Sequence, residues 1–170
     1  MFLKPMQTGL LIVIMLVLSA CGFQLRGQLD LPDSMQYVYI DGDASVLFTR
    51  HLRQALERAG AHLVENIDAA TAVLAIQHEK QQRNVISVSE TARVREYESF
   101  YTLGFSLRET SGKQILEPQV LEIRRDFSFL ESEVLAKERE EARLVRDMQS
   151  EAVQVILRKI RYAQTRNDQT

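Results

Sequence analysis

The side chains that most often carry catalysis or bind metals are scattered in this sequence. The three histidines, His51, His62 and His78, fall on different predicted elements and at no spacing typical of metal ligands. Glu140 and Glu141 are adjacent, so on a helix their carboxylates diverge by about 100° and do not form a catalytic pair. The chain contains neither a glycine-rich phosphate loop nor a serine in a nucleophile elbow. The sequence therefore predicts a protein that is not an enzyme and needs neither a metal nor a cofactor.

One strand-like segment carries a pattern that favours ligand binding. Positions two apart share a face of a strand, and one face of the segment 92–109 carries, in order, Arg93, Arg95, Tyr97, Tyr101, Leu103, Phe105 and Leu107. This order suits an amphiphile with an anionic head and acyl tails, because guanidinium groups bind phosphate through two parallel hydrogen bonds. The alternative is that the end of the strand extends beyond its covering helices into water.

A second group of cations lies at the start of the last predicted helix. These residues are Lys137, Arg139, Arg143 and Arg146. The positive N-terminal end of a helix dipole favours anions over cations, so a site for an anionic ligand is one interpretation. The acids between them instead favour a solvated face with ion pairs one turn apart.

The pattern of apolar residues predicts the elements that would position these side chains. It indicates strands at 37–40, at 73–76 with an extension or further strand at 84–88, at 92–109 and through 121–129, and amphipathic helices at 45–59 and 133–162. Gly104 indicates a β-bulge. Strands with one apolar and one polar face form a sheet covered on one side. We therefore predict an α+β, two-layer sandwich: a four-stranded mixed sheet with two α-helices packed on one face.

The N-terminal residues predict export and lipid attachment. Residues 1–20 contain one cation, Lys4, and the unbroken apolar run 10–18, as in a secretory signal peptide. The apolar run is too short to form a membrane-spanning helix. The run ends at Leu18-Ser19-Ala20-Cys21, which resembles the lipobox of bacterial lipoproteins. Cys21 is the single cysteine, so no internal disulfide competes for it. It is the predicted lipidation site.

The remaining chain has the size of one domain. We predict a signal peptide at 1–20, a lipidated tether at 21–34, one α+β domain at 35–163 and a polar tail at 164–170. Without residues 1–20, 20 Lys and Arg stand against 23 Asp and Glu, a net charge of −3. This balance excludes nucleic-acid binding that depends on overall charge.

Several short motifs resemble one known family. Cys21 to Gly27, CGFQLRG, resembles the opening of the mature LPS-assembly lipoproteins (LptE). Glu96-Tyr97, RDF at 125–127, LAK at 135–137 and ILRKI at 156–160 follow in the family's order. The matches extend over nearly all of the mature chain.

The resemblance implies a two-helix, mixed-sheet sandwich with no enzymatic role. It implies a lipoprotein on the periplasmic side of the outer membrane, and the residue after the cysteine, Gly22, favours the same location. It also implies that this lipoprotein assembles with and plugs a large LPS-assembly β-barrel (LptD) and binds lipopolysaccharide. Lys137 matches a family lipopolysaccharide contact. The basic residue expected at the strand tip falls on Glu90, so Arg93 and Arg95 take its place. The alternative is a purely structural assembly factor and plug that binds no lipopolysaccharide.

Overall fold

The computed structural model describes residue 31, residues 33–128 and residues 134–167. The signal peptide, Cys21 and most of the tether lie outside these residues. The elements are β1 Tyr37–Asp41, α1 Val46–Arg58, β2 His62–Leu63, β3 Ala72–Val88, β4 Val94–Glu109, β5 Gln114–Ser128 and α2 Val134–Asn167, with single 3-10 turns at Asp33–Met35 and Ile67–Ala69. None of the helices in the described part of the chain combines the length and apolar character needed to cross a bilayer.

The five strands form one open mixed sheet in the order β2-β1-β3-β4-β5. β1 is parallel to both β2 and β3, whereas β3, β4 and β5 form an antiparallel meander. The predicted α+β architecture with two helices is confirmed. The predicted count of four strands is wrong, because β2 consists of only His62 and Leu63, too short for a period-two pattern.

The two ends of the sheet differ in how they are covered. We call the end that carries the β3–β4 turn, the last residues of β5 and the start of α2 the tip, and the opposite end the base. Across the base half the register aligns Ile40, Leu74, Leu107 and Leu116, and across the tip half it aligns Val85, Tyr97 and Phe127. Of the long strand β3, only the first residues pair with β1. The tip half of the sheet therefore has fewer strands than the base half.

The core lies between the helices and one face of the sheet. The largest fully buried side chains are Met35 before β1, Phe48, Leu52 and Leu56 of α1, Leu74, Ile76, Tyr101, Leu103 and Leu107 of the sheet, and Met148, Ile156 and Ile160 of α2. The alternation predicted for 101–107 is therefore confirmed. Burial of one such aliphatic side chain contributes about 1.5–3 kcal/mol.

The ends of α1 agree closely with the sequence prediction, whereas α2 is longer than predicted. α1 begins after the N-cap Ser45, whose hydroxyl oxygen accepts a hydrogen bond from the amide of Phe48 at 3.4 Å. α2 continues to Asn167, so four residues of the expected tail are helical. The expected N-cap of that helix, Ser132, lies outside the described residues.

The β-bulge lies in β3, opposite Leu103, and not in the strand that contains Gly104. Gln77 pairs with Gly104 and Lys80 with Thr102, so His78 and Glu79 together face a single residue of β4. His78 takes a φ of 53°, which makes the irregularity possible. The bulge turns the carboxylate of Glu79 toward the helices.

Candidate functional site

The tip brings together the three residues that the sequence singled out as ligand contacts. Arg93 lies in the β3–β4 turn and Arg95 near the start of β4, and both side chains are exposed. Lys137 lies in the first turn of α2, and its ammonium donates a hydrogen bond to the hydroxyl of Ser128 at 3.3 Å. Ser128 pairs in turn with Glu96, the neighbour of Arg95. The sheet register therefore places both predicted halves of the site at one end of the molecule.

Lys137 is held in position by an acidic neighbour. Its ammonium lies 2.7 Å from a carboxylate oxygen of Glu140, and only 11% of its side chain is exposed. Arg93 and Arg95 are solvent-exposed by comparison. An anionic ligand at Lys137 would have to share the ammonium with Glu140 or displace that carboxylate.

Aromatic side chains support the tip from the helical face of the sheet. Tyr97 and Phe127 stack with ring centroids 5.5 Å apart. The guanidinium of Arg83 lies 4.9 Å from the centre of the Tyr97 ring and donates a hydrogen bond of 2.9 Å to Glu141 of α2. These contacts fasten the first turns of α2 to the sheet, since a cation over an aromatic face and an ion pair are both attractive. Arg83 was missed in the sequence, because its role depends on a helix far away in the chain.

Exposed aliphatic side chains lie beside the two arginines. Val85, Ile86 and Val88 at the end of β3 are about half exposed, at 50%, 48% and 56%. Val88 pairs with Val94, and because successive residues of a strand alternate between faces, these two valines lie on the sheet face opposite to Arg95. The same end of the sheet therefore carries both exposed apolar and exposed cationic side chains. The segment 84–88 was predicted as a strand, but its exposed apolar surface was not recognised.

A polar cluster in the middle of the molecule joins both helices to the sheet. The carboxylate of Glu79 accepts hydrogen bonds from the backbone amide of Ser45, from its hydroxyl at 2.8 Å, from the hydroxyl of Tyr101 at 2.7 Å and from the amide of Gln149 at 3.2 Å. Ser45 caps α1 and Gln149 belongs to α2. The negative charge lies at the positive end of the α1 dipole.

The hydrogen bonds in this cluster determine its ionisation. Burial by itself raises the pKa of Glu79, but the hydrogen bonds from Ser45, Tyr101 and Gln149 outweigh it and hold the pKa below its ordinary value. Burial, together with the hydrogen bond to the Glu79 carboxylate, raises the pKa of Tyr101. Both groups therefore stay in their ordinary ionisation states at neutral pH, which is the behaviour of a structural cluster. No pattern in the sequence had indicated this cluster.

The described residues of the tip include three cations and exposed aliphatic side chains. Within residues 33–128 and 134–167 no three His, Asp or Glu side chains are placed to hold a metal ion. The predicted lipidation site, Cys21, lies outside the described residues.

Comparison with known proteins agrees with the motifs in the sequence. A family model described as lipopolysaccharide-assembly (LptE) matches residues 35–160. The LPS-assembly lipoprotein LptE of Pectobacterium atrosepticum is 25% identical over 147 residues, covering 85% of this chain and 79% of that protein. A solution structure of lipoprotein B from Nitrosomonas europaea is 32% identical with a TM-score of 0.71, over 85% of this chain and 93% of that one. The crystal structure of rare lipoprotein B from Shewanella oneidensis is 27% identical with a TM-score of 0.67, over 78% and 98% of the chains. This chain belongs to the LptE family of lipopolysaccharide-assembly proteins.

Proposed function

We propose that this protein is a lipid-anchored component of the outer membrane that assembles with and plugs the LPS-assembly β-barrel and binds lipopolysaccharide at its tip. In this proposal the protein is an assembly and binding factor, not an enzyme. Its partners are the barrel, lipopolysaccharide and the membrane that holds the lipid of Cys21. The observation that carries the ligand-binding part is the juxtaposition of Lys137, Arg93 and Arg95 with exposed aliphatic side chains at one end of the sheet.

The chemistry of the tip fits the head of lipid A. Lipid A combines phosphate groups with acyl chains, and the tip combines two exposed guanidinium groups with half-exposed Val85, Ile86 and Val88. Guanidinium groups bind phosphate oxygens through paired hydrogen bonds. Lys137 adds a third positive charge that Glu140 already positions. A single lipopolysaccharide molecule bound in this way would exchange its contacts with divalent cations for contacts with the protein.

Reversing the charge at the tip should abolish lipopolysaccharide binding. In the triple variant Lys137→Glu, Arg93→Glu, Arg95→Glu we expect affinity to fall at least about 100-fold, since hydrogen bonds to charged groups contribute about 1.5–3 kcal/mol each. Titration of the unlipidated mature chain with lipopolysaccharide measures the effect. A control variant reverses three exposed cations away from the tip, Arg50, Arg58 and Lys113. Equal affinities of the two variants would refute the proposed site.

Cys21 is proposed to anchor the protein through its lipid. We expect the mature chain to begin at Cys21, to carry diacylglycerol and a further acyl chain, and to sediment with the outer membrane, because two or more chains give stable attachment. The variant Cys21→Ser should appear in the soluble fraction. Intact-mass analysis checks the processing directly. A mature chain with an unmodified cysteine, or with residues 1–20 still attached, would contradict the anchor.

The barrel partner is tested by affinity capture. A tagged lipoprotein, extracted in mild detergent from outer membranes, should retain one large β-barrel protein that mass spectrometry identifies as the LPS-assembly barrel. The tip triple variant should retain the same barrel, because its changes are confined to ligand contacts. Absence of any barrel from both preparations would contradict the plug.

A purely structural plug is the second candidate function. The ion pair between Lys137 and Glu140 favours it, because the ammonium has a partner without any ligand. The two candidates differ in the titration above: a structural plug captures the barrel but shows no saturable binding of lipopolysaccharide. Saturable binding that the tip triple variant loses would exclude it.

A further inference from the structure

A groove at the base of the molecule exposes apolar side chains. It runs between the first half of β5 and the C-terminal half of α2 and has a volume of about 700 Å³. Its apolar lining includes Leu116 of β5 and Val155 of α2, which are both partly exposed. Tyr162, also in the lining, is 76% exposed. Removing such side chains from water is favourable, so the groove favours an apolar occupant.

The border of the groove offers donors for a peptide backbone. Arg158 and Arg161 contribute to the lining and are exposed. Lys159 crosses from α2 to β5, where its ammonium donates a hydrogen bond to Gln119. Guanidinium groups donate hydrogen bonds and accept none. The two arginines can therefore satisfy carbonyl groups of an extended segment that lies in the groove.

The chain before β1 has the pattern of an extended segment with one apolar face. In residues 21–31, CGFQLRGQLDL, the odd positions after the cysteine carry Phe23, Leu25, Gly27, Leu29 and Leu31. The even positions 24, 26, 28 and 30 all carry polar side chains. Such alternation places the apolar side chains on one side of an extended chain. This side needs a partner on the domain, because it would otherwise remain in water.

The last residue of this series already packs on the domain. Leu31 is partly buried against the core. It precedes β1, which begins at Tyr37 at the base, the end where the groove lies. Three strand spacings, roughly 15 Å, separate β1 from β5. Phe23 is eight residues before Leu31, and eight extended residues span roughly 26 Å. The segment is therefore long enough for Phe23 to reach the groove.

We infer that the groove is the docking site of the chain's own N-terminal segment, with the side chains of Phe23 and Leu25 inserted between β5 and α2. The packed Leu31 is the described end of this contact. A barrel around the domain is a poorer occupant, because the lumen wall of an outer-membrane barrel is polar and the groove is lined by exposed apolar groups. The docked segment fixes the place at which a lipid on Cys21 leaves the domain.

A single tryptophan in the segment tests this docking. The chain contains no tryptophan, so Phe23→Trp provides one fluorophore in the unlipidated mature chain with Cys21→Ser. In the folded protein we expect emission shifted to the blue and several-fold weaker quenching by acrylamide than in urea. Quenching that is as strong in the folded protein as in urea would overturn the inference.

A charge in the groove determines where the shielded indole lies. Val155→Asp changes the groove lining and should shift the emission to the red and restore quenching by acrylamide. Val120→Asp is the matched control, since Val120 pairs with Gly104 on the opposite face of the sheet and is 71% exposed. The control should leave the indole shielded. Equal effects of the two variants, including an indole that stays shielded in both, would overturn the groove as the docking site.

A double-mutant cycle gives a second measurement that introduces no charge into the groove. Phe23→Ala should raise the equilibrium constant of unfolding about tenfold. Combined with Tyr162→Ala it should raise the constant by less than the product of the single effects, because residues in contact are not additive. Val46→Ala, at a position 85% exposed on α1, is the control and should combine multiplicatively with Phe23→Ala. Multiplicative effects of Phe23→Ala and Tyr162→Ala would overturn the contact.

These measurements are independent of the proposed function. They involve neither lipid attachment nor lipopolysaccharide, so the docking of the segment and the role of the tip fail separately.

Discussion

Replacing Gly42 with alanine should destabilise the domain by about 4 kcal/mol or prevent folding. Gly42 has a φ of 120°, and a Cβ added there would lie 1.9 Å from the carbonyl oxygen of Ile76. Ile76 is only 2% exposed and belongs to β3, which pairs on both sides. The obstacle is thus the backbone of a central strand, which cannot move aside without breaking the sheet. Strain in this region of φ costs about 1–2 kcal/mol, and forcing atoms into a packed core adds about 1–3 kcal/mol.

Gly60→Ala is the matched control for this prediction. Gly60 also has a positive φ, 96°, but an added Cβ would meet no atom within 4 Å. We therefore expect only the cost of the strained φ, about 1–2 kcal/mol. Urea denaturation of the two variants and the wild type measures both free energies of unfolding. A loss at Gly42 no greater than at Gly60 would show that the contact with Ile76 relaxes.

Removal of the Glu79 carboxylate should have the second largest effect. Glu79→Ala leaves the hydroxyl of Tyr101 without its acceptor and removes one of the two acceptors of the Gln149 amide, which keeps the Ser45 hydroxyl. Hydrogen bonds to a charged group contribute about 1.5–3 kcal/mol, and buried donors without partners add their own cost. We expect a loss of about 3 kcal/mol in the free energy of unfolding, measured by urea denaturation. Tyr101→Phe removes one donor and should lower the free energy of unfolding by about 1 kcal/mol. If the two variants lost nearly the same free energy, the effect of Glu79 would lie in its single hydrogen bond to Tyr101.

The Glu79 cluster also predicts how stability depends on pH. Because the pKa of Glu79 in the folded protein lies below its ordinary value of 4.5, the ionised carboxylate stabilises the fold above that pH. This contribution is lost as the pH falls through the lower, folded-state pKa. Glu79→Gln has no such titration, so its stability should fall less steeply than that of the wild type below pH 4.5. Parallel curves would indicate that Glu79 keeps the same pKa in both states.

Regular periodicity explains which parts of the fold were predictable. The segment from Tyr101 to Leu107 alternates without interruption in β4, and the side chains on its apolar face are buried as the pattern indicates. β2 was missed because two residues carry no period. The long β3 was recognised at its ends but not in its middle, where QHEKQQRN is polar throughout. Periodicity identifies helices and strands of several residues, but it cannot identify a strand of only two residues.

The polar contacts were harder to predict from the sequence, because they join residues that are far apart in the chain. Glu79 becomes partly buried only through the bulge beside His78, and its partners Ser45 and Gln149 are 104 positions from each other. No local signal separates Glu79 from the other polar residues of β3. For Lys137 the sequence indicated a charge near the helix start. It contained no indication that Ser128 and Glu140 would fix the ammonium.

The unequal width of the sheet has a dynamic consequence. β1, β2 and α1 support only the base half, so the tip half is a three-stranded blade held by the first turns of α2. A region with fewer packed neighbours opens at a lower free energy than the rest of a domain. The blade can therefore flex or fray at its end while the base stays intact. A ligand bound there would be released by a local opening of the tip half, while the rest of the domain stays folded.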